Sequence, residues 1–295
     1  MPGKRFFLDR YMELGHELSG DEGTRTSLRV NTLRIGREEL VKRLEGLGVT
    51  LSKVDYLRDG YVVEESRFSL GASFEYLLGL FNIQEAASQF PVEVLAPAPG
   101  ETVLDMCAAP GMKTTQMAAH MGNRGAIVAV DVSRKRLYAL ENTLERCGVE
   151  NCVAYHADIN ELEFGGTLFD KILLDAPCSG NYVVDRAWFS KRRPRDFDRN
   201  AERQRRLMGT AWRHLREGGT LVYTTCSLEP EEDELNVQWL IDNHGAKLVK
   251  IEGPGSPGLT EVLGENLDGA LGRCMRYWPD ETGTQGFFVA EAVKR

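Results

Sequence analysis

Two cysteines in this sequence stand at positions that suit chemistry. Cys178 lies in a loop that leaves the apolar segment KILLD, and Cys226 directly follows a second apolar segment, LVYTT. A thiolate can add to an electron-poor carbon, and a nearby carboxylate such as Asp175 can exchange a proton with the reacting group. A single cysteine in an apolar context is more often an inert core residue. Two thiols at the ends of two strands favour a catalytic pair.

Aspartates also lie at the ends of predicted strands: Asp105, Asp131, Asp158 and Asp175. The carboxyl ends of parallel strands form the edge at which open α/β sheets bind ligands. Asp131 follows a glycine-containing turn at the spacing of an acid that holds ribose hydroxyls. Any one of these acids could equally cap a helix. Because all four acids are expected at the same edge of the sheet, together they favour a site for a nucleoside-type cofactor.

A turn connects the first core strand to the helix that follows it. It consists of Cys107, Ala108, Ala109, Pro110, Gly111, Met112 and Lys113. Glycine lets the backbone approach a ligand, and a helix N-terminus offers free N–H groups to a carboxylate. The turn fits neither the GxGxxG nor the Walker pattern, so by itself it could be purely structural. Its position before Asp131 favours a cofactor turn.

The pattern of elements predicts an α/β fold with a doubly wound, Rossmann-like core. Short apolar strands are predicted at 102–106, 127–132, 152–156, 169–175, 220–225 and 287–292, and helices at 113–121, 134–147, 200–216 and 231–243. Strands without polar alternation indicate a parallel sheet covered on both faces. The earlier residues read as a small α+β module. We therefore expect domains at 1–80 and 81–295.

Composition narrows the class of protein further. The chain has 295 residues, of which 42% are hydrophobic, and this suits a globular protein. No stretch approaches the roughly 20 apolar residues that span a bilayer, and the charged start is unlike a secretory signal, so we expect a cytosolic monomer. The six cysteines form no CxxC pair. This predicts neither a disulfide framework nor a metal site.

A basic segment interrupts an otherwise acidic chain. The net charge of -8 argues against general coating of nucleic acid, but between Arg186 and Arg206 nine basic residues stand against three acidic ones. Such a run is most often a solvated face. Here Trp188, Phe189 and Phe197 lie among the bases and would suit stacking on nucleobases. The segment is therefore a candidate RNA contact.

Several sequence blocks together resemble the RNA cytosine-5 methyltransferases of the Sun/Nop family, which includes RsmB-like enzymes. The blocks are SLRVNTLR with FNIQEAAS, DMCAAPGMKT, LLDAPCSG, VYTTCSLEPEEDE and WPDETGTQGFFVA, in the order of the family. The resemblance covers nearly the whole chain. It implies a class I core that uses S-adenosyl-L-methionine, with an RRM-like N-terminal module. The chain looks most similar to archaeal-type tRNA methyltransferases, which implies a tRNA substrate, with rRNA as the alternative.

The resemblance also implies roles for individual residues. The turn 107–113 would line the methionine part of the cofactor, Asp131 with Arg136 nearby would hold the ribose, and Asp158 would contact the adenine. Asp175 would lie between the cofactor and the target base.

In the family the thiol of the TCS block is the nucleophile, and the thiol of the PCS block serves product release. Cys226 and Cys178 take these roles here. We expect Lys113 to support the polar network, and Asp175 to stabilise the charge that builds at N3 of the base.

The sequence departs from the family after PCSG, where Asn181-Tyr182-Val183 replaces a common Thr-Gly pair and puts the loop shape in doubt. Arg29, Asn31 and Arg34 would be RNA contacts of the N-terminal module. They could equally be solvated residues of an edge strand.

Two rival functions stay open at this point. A DNA cytosine-5 methyltransferase would use the cysteine of a Pro-Cys pair, which makes Cys178 the nucleophile and Cys226 incidental. A non-catalytic RNA-binding factor could have kept the fold and lost the activity, although retention of both cysteines, Asp175 and the cofactor turn speaks against it.

Overall fold

The computed structural model describes residues 2–295. Its strands are β1 (Ser27–Val30), β2 (Val49–Lys53), β3 (Gly60–Ser66), β4 (Phe81–Ile83), β5 (Thr102–Asp105), β6 (Ala126–Asp131), β7 (Cys152–His156), β8 (Phe169–Asp175), β9 (Leu215–Thr225), β10 (Lys247–Val249), β11 (Ser256–Pro257), β12 (Glu261–Val262), β13 (Glu265–Asn266), β14 (Met275–Tyr277) and β15 (Phe287–Val293). Its α-helices are α1 (Lys4–Glu13), α2 (Arg37–Gly46), α3 (Phe74–Leu77), α4 (Ala86–Leu95), α5 (Met112–Met121), α6 (Arg134–Cys147), α7 (Trp188–Lys191), α8 (Pro194–His214), α9 (Glu234–His244) and α10 (Pro279–Thr282).

The chain forms two compact units. One is Arg25–Leu173, and the other combines the N-terminal residues up to Thr24 with Leu174–Arg295. The expected division into domains at 1–80 and 81–295 stays a prediction.

The parallel strands lie in the unit Arg25–Leu173. Strand β5 pairs with β6 and with the residues of β8 up to Leu173, and β6 pairs with β7. Val103, Leu104 and Ile172 are fully buried, as expected for strands covered on both faces. The carboxyl ends of β5 and β6 carry Asp105 and Asp131. The predicted parallel strands are therefore present, with the acids at their ends.

The same unit contains a four-stranded antiparallel sheet in the order β2-β3-β1-β4. Leu40 and Leu44 of α2 are buried in one cluster with Leu28, Val30 and Phe81 of the sheet. Their spacing of four residues places both leucines on one face of the helix. The α+β character predicted for the N-terminal part is thus confirmed.

The other unit contains an antiparallel arrangement in the order β11-β14-β15-β9, with β10 also paired to β15. Phe288 pairs with Thr225, so Cys226 leaves β9 directly beside the start of β15. Helix α1 belongs to this unit, where Phe7 and Tyr11 are fully buried. The sequence had grouped α1 with the N-terminal module, because periodicity shows which face of a helix is apolar but not what covers it.

Most core elements agree with the sequence prediction, and the differences have local causes. The strands at 152–156 and 169–175 and the helix at 134–147 match to the residue. Helix α8 begins at Pro194 rather than 200, because proline suits the first helical position and the Asp196 carboxylate accepts a hydrogen bond from Arg193 N at 3.0 Å. Helix α4, which contains Pro91, and the short strand β14 were not predicted.

The aromatic residues of the basic segment are not stacking platforms for RNA. Trp188, Phe189 and Phe197 are all buried, and they form one cluster with Phe7 and Trp278. The Trp188 and Phe197 rings are stacked at 6.0 Å between centroids. The prediction that they contact bases is wrong, because burial of apolar rings in this core competes with exposure to a ligand.

Within residues 2–295, no helix has the length and apolar character needed to cross a membrane.

Candidate active site

The turn after β5 is shaped by one glycine. Gly111 has a φ of +101°, and a Cβ there would lie 2.8 Å from Leu140 Cδ1. Both the backbone conformation and the lack of space require glycine. Ala108 N donates to Val130 O at 3.0 Å, which ties the turn to the end of β6. The turn is therefore held next to the strand that carries Asp131.

Asp131 contacts two other predicted cofactor residues, Ala109 and Arg136. It is 2% exposed, and its carboxylate accepts hydrogen bonds from Ala109 N at 3.2 Å and from Ser133 N at 2.8 Å. Arg136 donates to Ala109 O and lies 3.5 Å from the Asp131 carboxylate. An ionised carboxylate has about four acceptor positions, so it can also accept from hydroxyl groups. This set of acceptors and donors fits a ribose.

The other predicted cofactor residues lie in the same unit, except Asp175, which belongs to the unit that contains Leu174–Arg295. Asp158 is exposed just beyond β7, and its carboxylate accepts from Asn160 N and Nδ2, each at 3.0 Å. An exposed carboxylate can accept a bond from an exocyclic amine such as that of adenine. Lys113 lies in the first turn of α5, is buried, and donates to Ser88 Oγ at 3.1 Å. Cys107 and Met112 are half-buried in the turn.

Two residues predicted as RNA contacts are structural instead. Arg29 is 1% exposed, and its guanidinium donates to Met112 O at 3.1 Å and to Thr115 Oγ1 at 2.8 Å. Asn31 is fully buried and donates to Gly79 O and Cys147 O. The prediction is wrong for both because β1 is a central strand of its sheet, between β3 and β4. Arg29 holds the first turn of α5, and Arg34 is exposed.

The two predicted catalytic cysteines lie together in the other unit. Their Sγ atoms are 3.2 Å apart, within hydrogen-bonding distance for sulfur. The hydrogen bond with Cys226 and burial raise the pKa of the Cys178 thiol well above its usual range. Cys178 therefore stays protonated at neutral pH and can donate to Cys226. Asp175, half-buried, ends β8 three residues before Cys178.

The unusual Asn181 fixes the loop that carries Cys178. Its Nδ2 donates to Cys226 O at 2.8 Å and to Gly286 O at 3.0 Å, while its Oδ1 accepts from Val183 N at 2.9 Å. Trp188 Nε1 also donates to Ser179 O at 3.0 Å. The departure from the Thr-Gly pattern thus comes with a defined set of bonds to the second cysteine.

Three acidic residues after Cys226 are buried next to arginines, namely Glu229, Asp233 and Glu234. Glu229 accepts from Arg10 Nε at 2.9 Å and from Tyr11 OH at 2.7 Å. Arg276 donates to both oxygens of Glu234 at 2.6 Å and lies 3.1 Å from Asp233. Each of these carboxylates is fully buried. Sequence reasoning missed this network, although five acids among the six residues 229–234, shortly after a buried strand, were a signal.

Of these acids, Glu231, Glu232 and Asp233 precede helix α9, and Glu234 lies in its first turn. The sequence predicted a helix at 231–243. Helix α9 begins at Glu234 instead, and residues 230–233 form turns. The predicted start of the helix is wrong by three residues, because partners from other segments hold Glu231, Glu232 and Asp233 in the turns before it.

The parallel strands, the glycine turn and the buried acid after β6 define the class of doubly wound α/β proteins that bind a nucleoside-type cofactor. Residues 92–293 match the model of a family described as 16S rRNA methyltransferase RsmB/F, and residues 7–86 match the N-terminal domain of 16S rRNA methyltransferase RsmF. The chain belongs to the RsmB/F methyltransferase family. This confirms the resemblance to Sun/Nop-type proteins and the cofactor class.

Curated relatives agree with this assignment. Ribosomal RNA small subunit methyltransferase F of Klebsiella pneumoniae (strain 342) is 38% identical over 288 residues, which cover 92% of this chain and 57% of the relative. The protein of the same name from Escherichia coli O1:K1 / APEC is 40% identical over 282 residues, with the same coverage. The chain spans just over half the length of these relatives.

Solved structures confirm the Rossmann-like methyltransferase fold. A methyltransferase homologue from Pyrococcus horikoshii has a TM-score of 0.87 and 37% identity, and the match covers 98% of both chains. NSun6 from Pyrococcus horikoshii, with the S-adenosylmethionine analogue SFG, has a TM-score of 0.82 and 27% identity over 93% of this chain and 91% of that one.

Burial of Glu229 makes stability depend on pH. Burial raises the pKa of Glu229 from 4.5 to about 7. A carboxyl whose pKa is higher in the folded state stabilises the fold fully below pH 4.5, and this contribution is lost as the pH rises to about 7. We expect the free energy of unfolding of the wild type, relative to Glu229→Gln, to fall by up to about 3 kcal/mol between pH 4.5 and 7.5.

Urea unfolding of both proteins across this pH range measures the difference. A difference that is constant with pH, or one that grows as the pH rises, would contradict the raised pKa.

Proposed function

We propose that the chain methylates carbon 5 of a cytosine in RNA, with S-adenosylmethionine as the methyl donor. One observation carries the choice of cytosine-5 chemistry, namely the distance of 3.2 Å between the Sγ atoms of Cys178 and Cys226. A paired nucleophile and helper thiol serve covalent catalysis, and membership of an RNA methyltransferase family supplies the substrate class.

Cys226 is the proposed nucleophile. Carbon 5 of cytosine is a poor nucleophile, but addition of the Cys226 thiolate forms an S–C6 bond and moves the electrons of the C5–C6 double bond to carbon 5. Negative charge then builds toward N3. Asp175, at the end of β8, is the proposed group that shares a proton with N3.

Cys178 is the proposed helper of release. When bound, S-adenosylmethionine supplies the methyl group as an electrophile. Loss of the proton from carbon 5 to a base then re-forms the C5–C6 double bond, the S–C6 bond breaks, and Cys226 leaves as a thiolate. The hydrogen bond with Cys226 and burial raise the pKa of Cys178, so its S–H can donate to that leaving thiolate.

Replacing Cys226 and replacing Cys178 should block the reaction at different steps. Because Cys226 forms the bond to carbon 6, Cys226→Ala should give no covalent adduct with RNA containing 5-fluorocytosine and no methyl transfer. Because Cys178 assists release, Cys178→Ala should accumulate an adduct with unmodified RNA and lose turnover by about 100-fold or more. Denaturing gels and transfer of a labelled methyl group measure both.

Three outcomes would contradict this assignment. An adduct with Cys226→Ala, or activity on DNA alone, would favour the DNA-methyltransferase alternative with Cys178 as nucleophile. Failure of the wild type to bind S-adenosylmethionine in calorimetry would favour a non-catalytic RNA-binding factor.

The names of the relatives favour small-subunit rRNA over the tRNA that the sequence resemblance implied. We expect deletion of the gene to remove methylation at a defined cytosine. Bisulfite sequencing of total RNA from the deletion strain and its parent identifies the molecule and the position. A lost site in tRNA would reject the rRNA preference, and unchanged methylation in all RNA would reject the function.

Exposed arginines on helix α8 are the proposed contacts to RNA phosphates. Arg195, Arg199, Arg203 and Arg206 are exposed. Their spacing of four, four and three residues places them on one face of the helix, opposite buried residues such as Phe197 and Met208. Arginine on such a face binds phosphate without reading sequence. The basic segment thus keeps its proposed role through its charges rather than its aromatic rings.

The double variant Arg203→Gln/Arg206→Gln should bind RNA more weakly. Loss of two phosphate contacts should reduce the slope of log affinity against log salt by about 1 to 2. Filter binding at several salt concentrations measures the slope. Lys250→Gln is the control, since Lys250 is exposed and paired with Glu252. A slope equal to that of the control would reject α8 as a phosphate-binding face.

A further inference from the structure

Glu232 differs from the other acids that follow Cys226. It is fully buried, and its carboxylate accepts from Ser179 N at 3.2 and 3.0 Å, from Gln204 Nε2 at 2.8 Å and from Ser227 Oγ at 3.3 Å. These donors are all neutral. Among the described residues, the paired acids around it use Arg10 or Arg276, whereas no ion pair involves Glu232.

The donors of Glu232 belong to the two cysteine loops. Ser179 directly follows Cys178, and Ser227 directly follows Cys226. The two serine Oγ atoms are 3.1 Å apart and hydrogen-bonded to each other. Glu232 therefore joins two Cys-Ser pairs at equivalent positions, next to the two sulfur atoms that are 3.2 Å apart.

We infer that Glu232 is the positioning residue that holds Cys178 against Cys226 for the release step. This rests on the proposed function of the cysteine pair. Glu232 touches neither sulfur through a hydrogen bond and acts through the backbone of Ser179 and the hydroxyl of Ser227.

A carboxylate suits this task better than any neutral side chain. Four hydrogen-bond contacts from three groups converge on its two oxygens, and an ionised carboxylate accepts at both. Glutamine has the same shape but would turn an NH2 donor toward at least one of these donors. The substitution should loosen one serine, and through it one cysteine, without removing bulk from the core.

Burial of this carboxylate without a cation is also costly. Burial raises the pKa of Glu232, while the hydrogen bonds from Ser179, Gln204 and Ser227 lower it. Apolar side chains in place of Glu232 and its side-chain partners would avoid this cost. What the charged group contributes there is a common acceptor for the two matched loops.

The test compares Glu232→Gln with Glu231→Gln in the full chain. Glu231 is the adjacent acid, bonded to Arg10 and not to either cysteine loop, so it is the matched control. We expect Glu232→Gln to lower turnover by about 10- to 100-fold while S-adenosylmethionine binding is unchanged. It should accumulate covalent adduct with unmodified RNA, as Cys178→Ala does, whereas a merely structural loss would reduce the adduct.

Oxidative cross-linking provides a readout that does not depend on activity. A diamide oxidant takes up two electrons and two protons as Cys178 and Cys226 form a disulfide, and the rate reports how often the sulfur atoms meet. We expect slower cross-linking in Glu232→Gln than in Glu231→Gln. If Glu232→Gln does not fold, Ser227→Ala removes the bridging hydroxyl with little loss of volume and should change adduct and cross-linking in the same direction.

Turnover, adduct and cross-linking that match Glu231→Gln would overturn the inference. If Cys178→Ala traps an adduct and Glu232→Gln does not, the inference fails while the proposed function stands. If no protein forms an adduct but cross-linking slows in Glu232→Gln, the positioning role stands and the proposed function fails.

Discussion

The buried carboxylates that follow Cys226 are the constraint on which the cysteine pair depends. Glu229, Asp233 and Glu234 are all fully buried, and removing a carboxylate from water costs several kcal/mol unless it is paired. Arg10 and Arg276 supply the opposite charge. Both arginines lie far from these acids in sequence, so the loop after β9 cannot form its native shape until those segments have packed. Strand β9 places Cys226, and long-range ion pairs hold the loop that follows it.

Helix α1 contributes Arg10 to the same network of ion pairs. One face of this helix presents Phe7 and Tyr11 to the aromatic core, and Arg10, one residue before Tyr11, reaches Glu229 and Glu231. The aromatic rings predicted to stack on RNA pack against this helix instead, and the ring centroids of Phe7 and Trp188 are 4.8 Å apart. An element at the N-terminus thereby stabilises the loop of a cysteine more than 200 residues later in the chain.

Features that depend on the local pattern of residues could be predicted from the sequence. Features that depend on contacts between distant segments could not. Strand ends, the Gly111 turn and the meeting of Cys178 with Cys226 follow from periodicity and from the rule that parallel strands share one functional edge. Arg29 was misjudged because a polar residue in a strand looks the same whether its partner is RNA or Met112 O. Glu232 was misjudged because buried acids and helix-capping acids have the same sequence signature, and only tertiary contacts distinguish them.

The contact between the two thiols also limits which protonation states the pair can adopt. At 3.2 Å one proton between the sulfur atoms stabilises a single thiolate, whereas two thiolates would repel each other in a buried site. The hydrogen bond with Cys226 and burial raise the pKa of Cys178, so Cys178 keeps its proton. The hydrogen-bonded cysteine pair therefore serves both the first and the last step of the proposed covalent reaction. In the proposed mechanism, the Cys178 thiol stabilises the Cys226 thiolate both before attack and on departure, and both steps require a fixed separation of the two sulfur atoms.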